Sequence, residues 1–235
     1  MSTRKIKKQV LALLSGSDLD FIQRELAQLP AKDVVNALFS AICRSEELLR
    51  WHAISGMGSA VARLANENME EGRIIMRRML WILNDESGGI GWGAPESMAE
   101  IMSLHDGLAR EYVHMLISYM REDGEEIWQD GNYLEHETLQ QGLLWGAGRL
   151  AVSRRQLVLE KGMEQDLPPY LDAADGTVRG LAARAIGLLG TAASLDRLQE
   201  LRTDDFPVRL YEDGSLSTVT VGELAGQALE RVADR

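Results

Sequence analysis

Residues 84–97, NDESGGIGWGAPES, hold the types and spacing that most resemble a chemical fingerprint. Gly89, Gly91 and Ala94 formally satisfy Gly-x-Gly-x-x-Gly/Ala, and Pro95 suits the first turn of a helix. A helix that starts behind a glycine-rich turn can hold a phosphate. A dinucleotide fold also needs βαβ pattern around that turn, and none follows. EEGRIIMRRMLWIL, just before it, reads as one helix rather than a buried strand. Asp85 and Glu86 would repel a pyrophosphate, and no Gly-Lys-Ser/Thr is present for a P-loop. The stretch is expected to be a turn between two helices.

Metal chemistry fails in similar detail. HETLQ, residues 136–140, begins like a zincin helix, but Gln140 stands where the second histidine is needed. Read as a calcium loop from Glu126, the chain has Asp130, Gly131 and Glu137 in place. Trp128 occupies a position that requires an oxygen ligand. A loosely held cation at Asp130, Asn132, Glu135 and Glu137 is the alternative left open. His52, His105 and His114 are scattered over helical segments and are expected to pack or face solvent. No Gly-x-Ser-x-Gly or readable Cys-His arrangement supports a nucleophile. Glu96 and Glu100 stand one helical turn apart, and in a chain this acidic a solvated face is the expectation. Cys43, the only cysteine, lies in ALFSAICRS and is expected to be a buried, inert thiol in a reducing compartment. Trp81 and Trp145 lie in apolar segments and are expected in the core. No catalytic residue, metal or cofactor is expected, and enzymatic activity is the weakest of the readings.

The elements that must position these residues are helices. The chain has 235 residues, 45% of them hydrophobic and 26% charged, with a net charge of −11. That is enough for a sizeable core, and no apolar run reaches the length of a membrane span. Such a charge disfavours a nucleic-acid partner. The segment MSTRKIKKQVLALLSGS places four basic residues before Val10 to Leu14. That apolar run is too short for a signal peptide, so a first helix of a cytoplasmic protein is expected. Ser17, with Asp20 three residues on, reads as a helix start. Thr220 and Glu223 read as a capping box.

Internal repetition organises the rest. TVRGLAARAIGLLG, residues 177–190, has Val178-Arg179, small residues at Ala182, Ala183 and Ala185, and a closing Gly187-x-x-Gly190. Small residues let helices approach, while Ile186 and Leu189 fill the core. Degraded copies place anchors at Ala53, Ala94, Gly142, Ala182 and Ala225, at intervals of 41, 48, 40 and 43 residues. The unit resembles the second helix of phycobilin-lyase-type HEAT-like repeats. The resemblance implies an all-α fold: an α-α superhelix, a HEAT-like solenoid of about five helix pairs. An N-terminal helical cap over residues 1–30 precedes repeats over 31–235 in one continuous domain. Alternation around Asp213-Gly214 adds one small β-hairpin near the C-terminus.

Three connections inside the pairs are long: 84–94, 122–135 and 204–219. On a repeat scaffold such insertions tend to line a binding edge. Glu86, Trp92, Glu96, Trp128, Tyr133, His136 and Tyr211 are therefore the candidate partner-binding residues. The expected function is a non-catalytic protein-interaction scaffold that uses its concave face and this edge, with another protein as partner and neither nucleic acid nor membrane. The alternative implied by the resemblance is an accessory protein that handles a cofactor or chromophore.

Overall fold

The computed structural model describes residues 3–84, 91–122, 124, 132–192 and 194–234. Helices α1 (Thr3–Leu14) and α2 (Leu19–Ala27) form the cap. They are followed by α3 (Ala31–Leu38), α4 (Glu47–Glu67), α5 (Met69–Leu83), α6 (Ala94–Leu104), α7 (Asp106–Ser118) and α8 (Glu137–Ser153). Next come α9 (Arg155–Glu160), α10 (Met163–Asp166), α11 (Gly176–Leu189), α12 (Leu195–Leu201) and α13 (Val221–Ala233). Between α12 and α13, strands β1 (Pro207–Glu212) and β2 (Ser215–Thr220) pair as a hairpin. The five anchors fall on α4, α6, α8, α11 and α13, the returning helix of each expected pair. Among the described residues, no helix is long and apolar enough to cross a membrane.

The chain forms two compact units. One is Met1–Ala109 with Tyr211–Leu216, and the other is Arg110–Leu210 with Ser217–Arg235. In the first unit, α1 buries Ile6, Val10 and Leu14, each four residues from the last, so one face of the helix meets the core. Helix α2 begins one residue later than Ser17 implied. Asp18 is its N-cap, with a carboxylate that accepts from the Phe21 N–H at 2.9 Å. Helix α4 is buried almost all round, from Trp51 to Ala65. It meets α6 where Gly58 has no side chain, since a Cβ there would lie 2.9 Å from the Cβ of Glu100. Gly93, at φ 77, turns the chain into α6, and Pro95 follows in its first turn. The glycine-rich stretch is thus a helix start, and residues 85–90 lie outside the described residues.

Two expectations in this unit are corrected. Cys43 is exposed rather than enclosed. It follows the end of α3 in a turn, where the apolar face of the helix no longer governs. Its Sγ donates to the Phe39 carbonyl at 3.6 Å, and partial shielding from water pushes its pKa up. The thiol stays protonated for that reason. Trp81 is 73% exposed, not core. Ile75, Met76 and Met79 take the buried face of α5, and position 81 falls on the opposite side with Ile74, Arg77 and Arg78.

In the second unit, α11 packs between α8 and α13. Ile186 and Leu189 are fully buried, as expected, and Gly187 lies against the backbone of Ala228. Trp145 is also buried, at 5% exposure. The outgoing half of the fourth pair is broken into α9, α10 and a 3-10 turn, Pro168–Asp172. Gly162 at φ 79 ends one helix, and Pro168-Pro169 prevents the next from continuing. Arg179 is structural. It donates to the Ala173 and Ala174 carbonyls at 2.7 and 2.9 Å, and pairs with Asp204 at 2.7 Å. The capping box of Thr220 and Glu223 is formed. The hairpin turns at Asp213 and Gly214, with φ of 46 and 81, the pair of left-handed residues that a tight type I′ turn requires.

Candidate functional site

The α7–α8 connection builds a cavity of about 570 Å³ within the second unit. Met120, Arg121 and Glu122 follow α7 along one wall. Tyr133 and Glu135 of the connection and Glu137 and Gln140 of α8 form another. Gln165 and Asp166 of α10, with Pro169, Tyr170 and Asp172 of the 3-10 turn, complete it. The Leu134 N–H donates to the Tyr119 carbonyl at 3.2 Å, and the Asn132 amide to Ser118 Oγ at 3.3 Å. These bonds tie the end of the insertion back to α7. Tyr170 Oη donates to the Met120 carbonyl at 3.0 Å, which fixes its ring.

The charge of the lining is one-sided. Five carboxylates, Glu122, Glu135, Glu137, Asp166 and Asp172, face one guanidinium, Arg121. Arg121 is already paired with Asp166 at 3.0 Å, and Asp172 pairs with Arg197 at 2.7 Å. The start of α8 contributes roughly half a positive charge, and Glu137 in its first turn answers it. Glu122 and Glu135 form no ion pair among the described residues. Burial, followed by these two carboxylates, pushes the Tyr133 phenol above its ordinary pKa. Burial likewise raises that of Tyr170. Both phenols thus keep their protons to a higher pH than a free tyrosine does.

A second polar set lies in the first unit, between α4 and α6. Every residue from Ala94 to Ser103 is buried, so the polar residues of α6 are enclosed with its apolar ones. Glu96 and Glu100 are 8% and 7% exposed, which corrects the expectation of a solvated face. Periodicity cannot mark a helix that is covered on all sides. Glu100 accepts from Ser103 Oγ at 3.3 Å. Among the described residues, Glu96 Oε2, Ser97 Oγ and Arg50 Nε have no hydrogen-bond partner. Desolvation pushes the Glu96 carboxyl up to about 7, against the pull of its own backbone and of Arg50.

The candidate partner-binding residues scatter accordingly. Tyr133 lines the cavity, and His136 caps α8 beside it, with Nδ1 accepting from the Thr138 N–H at 3.2 Å. Trp92 is 37% exposed in the turn before α6. Glu96 is enclosed. Tyr211 is 3% exposed, stacked on Trp51 at 4.9 Å and bonded to Ser55 at 3.1 Å, so its ring presents no surface to a partner. Glu86 and Trp128 lie outside the described residues. The other histidines pack or face solvent as expected. His52 is fully buried with Nδ1 3.0 Å from the Leu14 carbonyl, His105 Nδ1 accepts from the Leu108 N–H at 3.1 Å, and His114 is exposed. Sequence reasoning missed Gln140, Asp166 and Tyr170, since only the fold brings the fourth pair against the α7–α8 connection. Glu122 was within reach, as the first residue of the long insertion.

Among the described residues, no group of three or more histidine, cysteine or acidic side chains could hold a metal ion. No protein-family model matches the chain, and no curated protein matches it. Solved structures do. An engineered protein is similar over 100% of this chain and 98% of its own, at a TM-score of 0.54 and 16% identity. A second engineered protein matches over 98% and 99%, again at 0.54 and 16%. A designed armadillo repeat protein in complex with the peptide (KR)4 matches over 95% and 98%, at 0.52 and 16%. The chain has the fold of a helical repeat protein. At such identities the likeness concerns the fold alone, and it lends the phycobilin-lyase type no separate support.

Proposed function

We propose that this protein is a non-catalytic protein-interaction scaffold that engages its partner through the connections inside its helix pairs. The observation that carries this reading is the cavity at the α7–α8 connection, built from one of the three long connections inside the pairs. Its volume is that of a binding pocket rather than a packing defect. Its walls hold no nucleophile–base pair. A repeat scaffold presents such a pocket on rigid helices, which suits recognition of a protein segment. The designed armadillo protein of like fold holds a peptide, (KR)4, which supports that use of the architecture. Trp92, half exposed on another connection, supplies a rigid apolar contact of the sort that anchors interfaces.

Quantitative co-purification from the source cell tests the reading. Trp92→Ala and Trp128→Ala, each compared with wild type, are expected to reduce recovery of the partner by about tenfold, the size of an interface anchor. Undiminished recovery with both variants would remove the connections as the binding edge.

A further inference from the structure

Helix α5 turns a large apolar surface to solvent. Trp81 is 73% exposed and Ile74 is 45% exposed. Arg78, also exposed, stands four residues after Ile74 and three before Trp81, so the three side chains share one stripe of the helix. The stripe covers about two turns, roughly 10 Å. We propose that it docks an acidic amphipathic helix of a partner protein, with a carboxylate on Arg78 and aliphatic side chains against Trp81 and Ile74. Neither the α7–α8 cavity nor Trp92 takes part.

Arg78 is held ready for an anion. Its guanidinium lies over the Phe39 ring, 3.6 Å from the centroid. A guanidinium placed on a ring keeps its N–H donors at its edges, where another group can reach them. The other charges of α5 are matched. Glu70 pairs with Arg77 at 2.6 Å and with Arg73 at 3.6 Å, and Glu71 pairs with Lys32 of α3 at 3.2 Å. Arg78 forms no ion pair among the described residues. A carboxylate can take it in the bidentate mode that a guanidinium suits.

Charge also selects the occupant. The chain carries a net −11, yet α5 has three arginines against two glutamates. A second copy of this chain would bring the same arginine to the stripe, and two α5 helices crossing at Arg78 would repel. An anionic bilayer would attract Arg78 but would meet Glu70 and Glu71 beside it and an acidic chain behind it. An acidic helix from another protein faces neither obstacle. A straight stripe on one helix is matched by the face of a second. Tryptophan and arginine are the side chains that most often anchor such contacts.

Fluorescence anisotropy tests this docking, with the full chain and a labelled helical peptide that has leucines along one face and glutamates beside them. A counterpart peptide carries Gln for every Glu. The Glu peptide is expected to bind, and the Gln peptide to bind far more weakly. Trp81→Ala and Arg78→Gln are each expected to weaken the Glu peptide about tenfold, the size of an interface anchor. Arg202→Gln removes the same charge at an exposed position of the second unit and is expected to leave affinity unchanged. Positions 78 and 81 are exposed, and an unchanged circular dichroism spectrum establishes that both variants are folded. Sedimentation of the protein alone and with phosphatidylserine vesicles reads the other occupants, and neither self-association nor vesicle binding that depends on Trp81 is expected. Absent binding of the Glu peptide, equal binding of the Gln peptide, or undiminished affinity in either variant would overturn the proposal. So would an equal loss in Arg202→Gln, or a dimer or vesicle complex that Trp81→Ala abolishes. The Trp92 and Trp128 co-purification stands or falls by itself.

Discussion

Gly187→Ala is expected to destabilise the second unit by about 3 kcal/mol, the upper range for overpacking a tight core. A Cβ at this position would lie 2.5 Å from Cα and 2.7 Å from Cβ of Ala228. The obstacle is backbone on α13, which cannot rotate away as a side chain would. Relief requires α11 and α13 to separate, and that would loosen Ile186, Leu189, Leu224 and Ala225, all of them buried. Gly226→Ala on the same α13 is the internal control. Nothing lies within 4 Å of its added Cβ, so alanine there is expected to stabilise by about 1 kcal/mol through helix propensity. Urea unfolding followed by circular dichroism reads both. Similar midpoints for the two variants would show that the close crossing of α11 and α13 is not a determinant of stability.

Glu96→Gln is expected to stabilise the protein in alkaline solution by up to roughly 3 kcal/mol, the equivalent of moving a carboxyl from 4.5 to about 7. Burial raises the folded-state pKa above that of the unfolded chain. Between about pH 4.5 and 7 the unfolded state has released this proton and the folded state retains it. Stability from this group is therefore fully present below about 4.5 and is lost as pH rises through about 7. Above that, the folded protein carries a carboxylate that Arg50 attracts without forming a hydrogen bond to it. Glutamine keeps the shape and removes the charge. The difference between variant and wild type, measured as urea midpoints across this range, isolates Glu96 from every other acid. It should be near zero at about pH 4 and reach its full value at about pH 8. Parallel profiles for the two proteins, or a variant less stable at high pH, would refute the burial account.

Much of the scaffold was legible in the sequence because repeat spacing survives where individual motifs decay. Ala53, Ala94, Gly142, Ala182 and Ala225 recur on α4, α6, α8, α11 and α13, and a small residue at such a position lets a neighbouring helix approach. The hairpin and the capping box were legible because their chemistry is local: Asp213-Gly214 tolerates left-handed backbone, and Thr220 with Glu223 satisfies its own helix end. Burial was less legible. Glu96 and Glu100 look like a solvated pair, yet α6 is covered on every side. Trp81 looks like core, yet α5 turns it outward. Tyr211 looks like a loop aromatic, yet Trp51, far off in sequence, stacks on it. The site was half visible. Tyr133 and Glu135 stood out in a long insertion, but Gln140, Asp166 and Tyr170 join them only through tertiary packing.

The central claim is that the α7–α8 connection meets another protein. Site-specific photo-crosslinking in the source cell tests it most directly. A benzophenone amino acid replaces Glu135 at the cavity wall and, as a control, the exposed Glu160 of α9 in the same unit. The account predicts a discrete crosslinked species from position 135, and none from position 160. Crosslinks absent from 135, or equal at both positions, would contradict it.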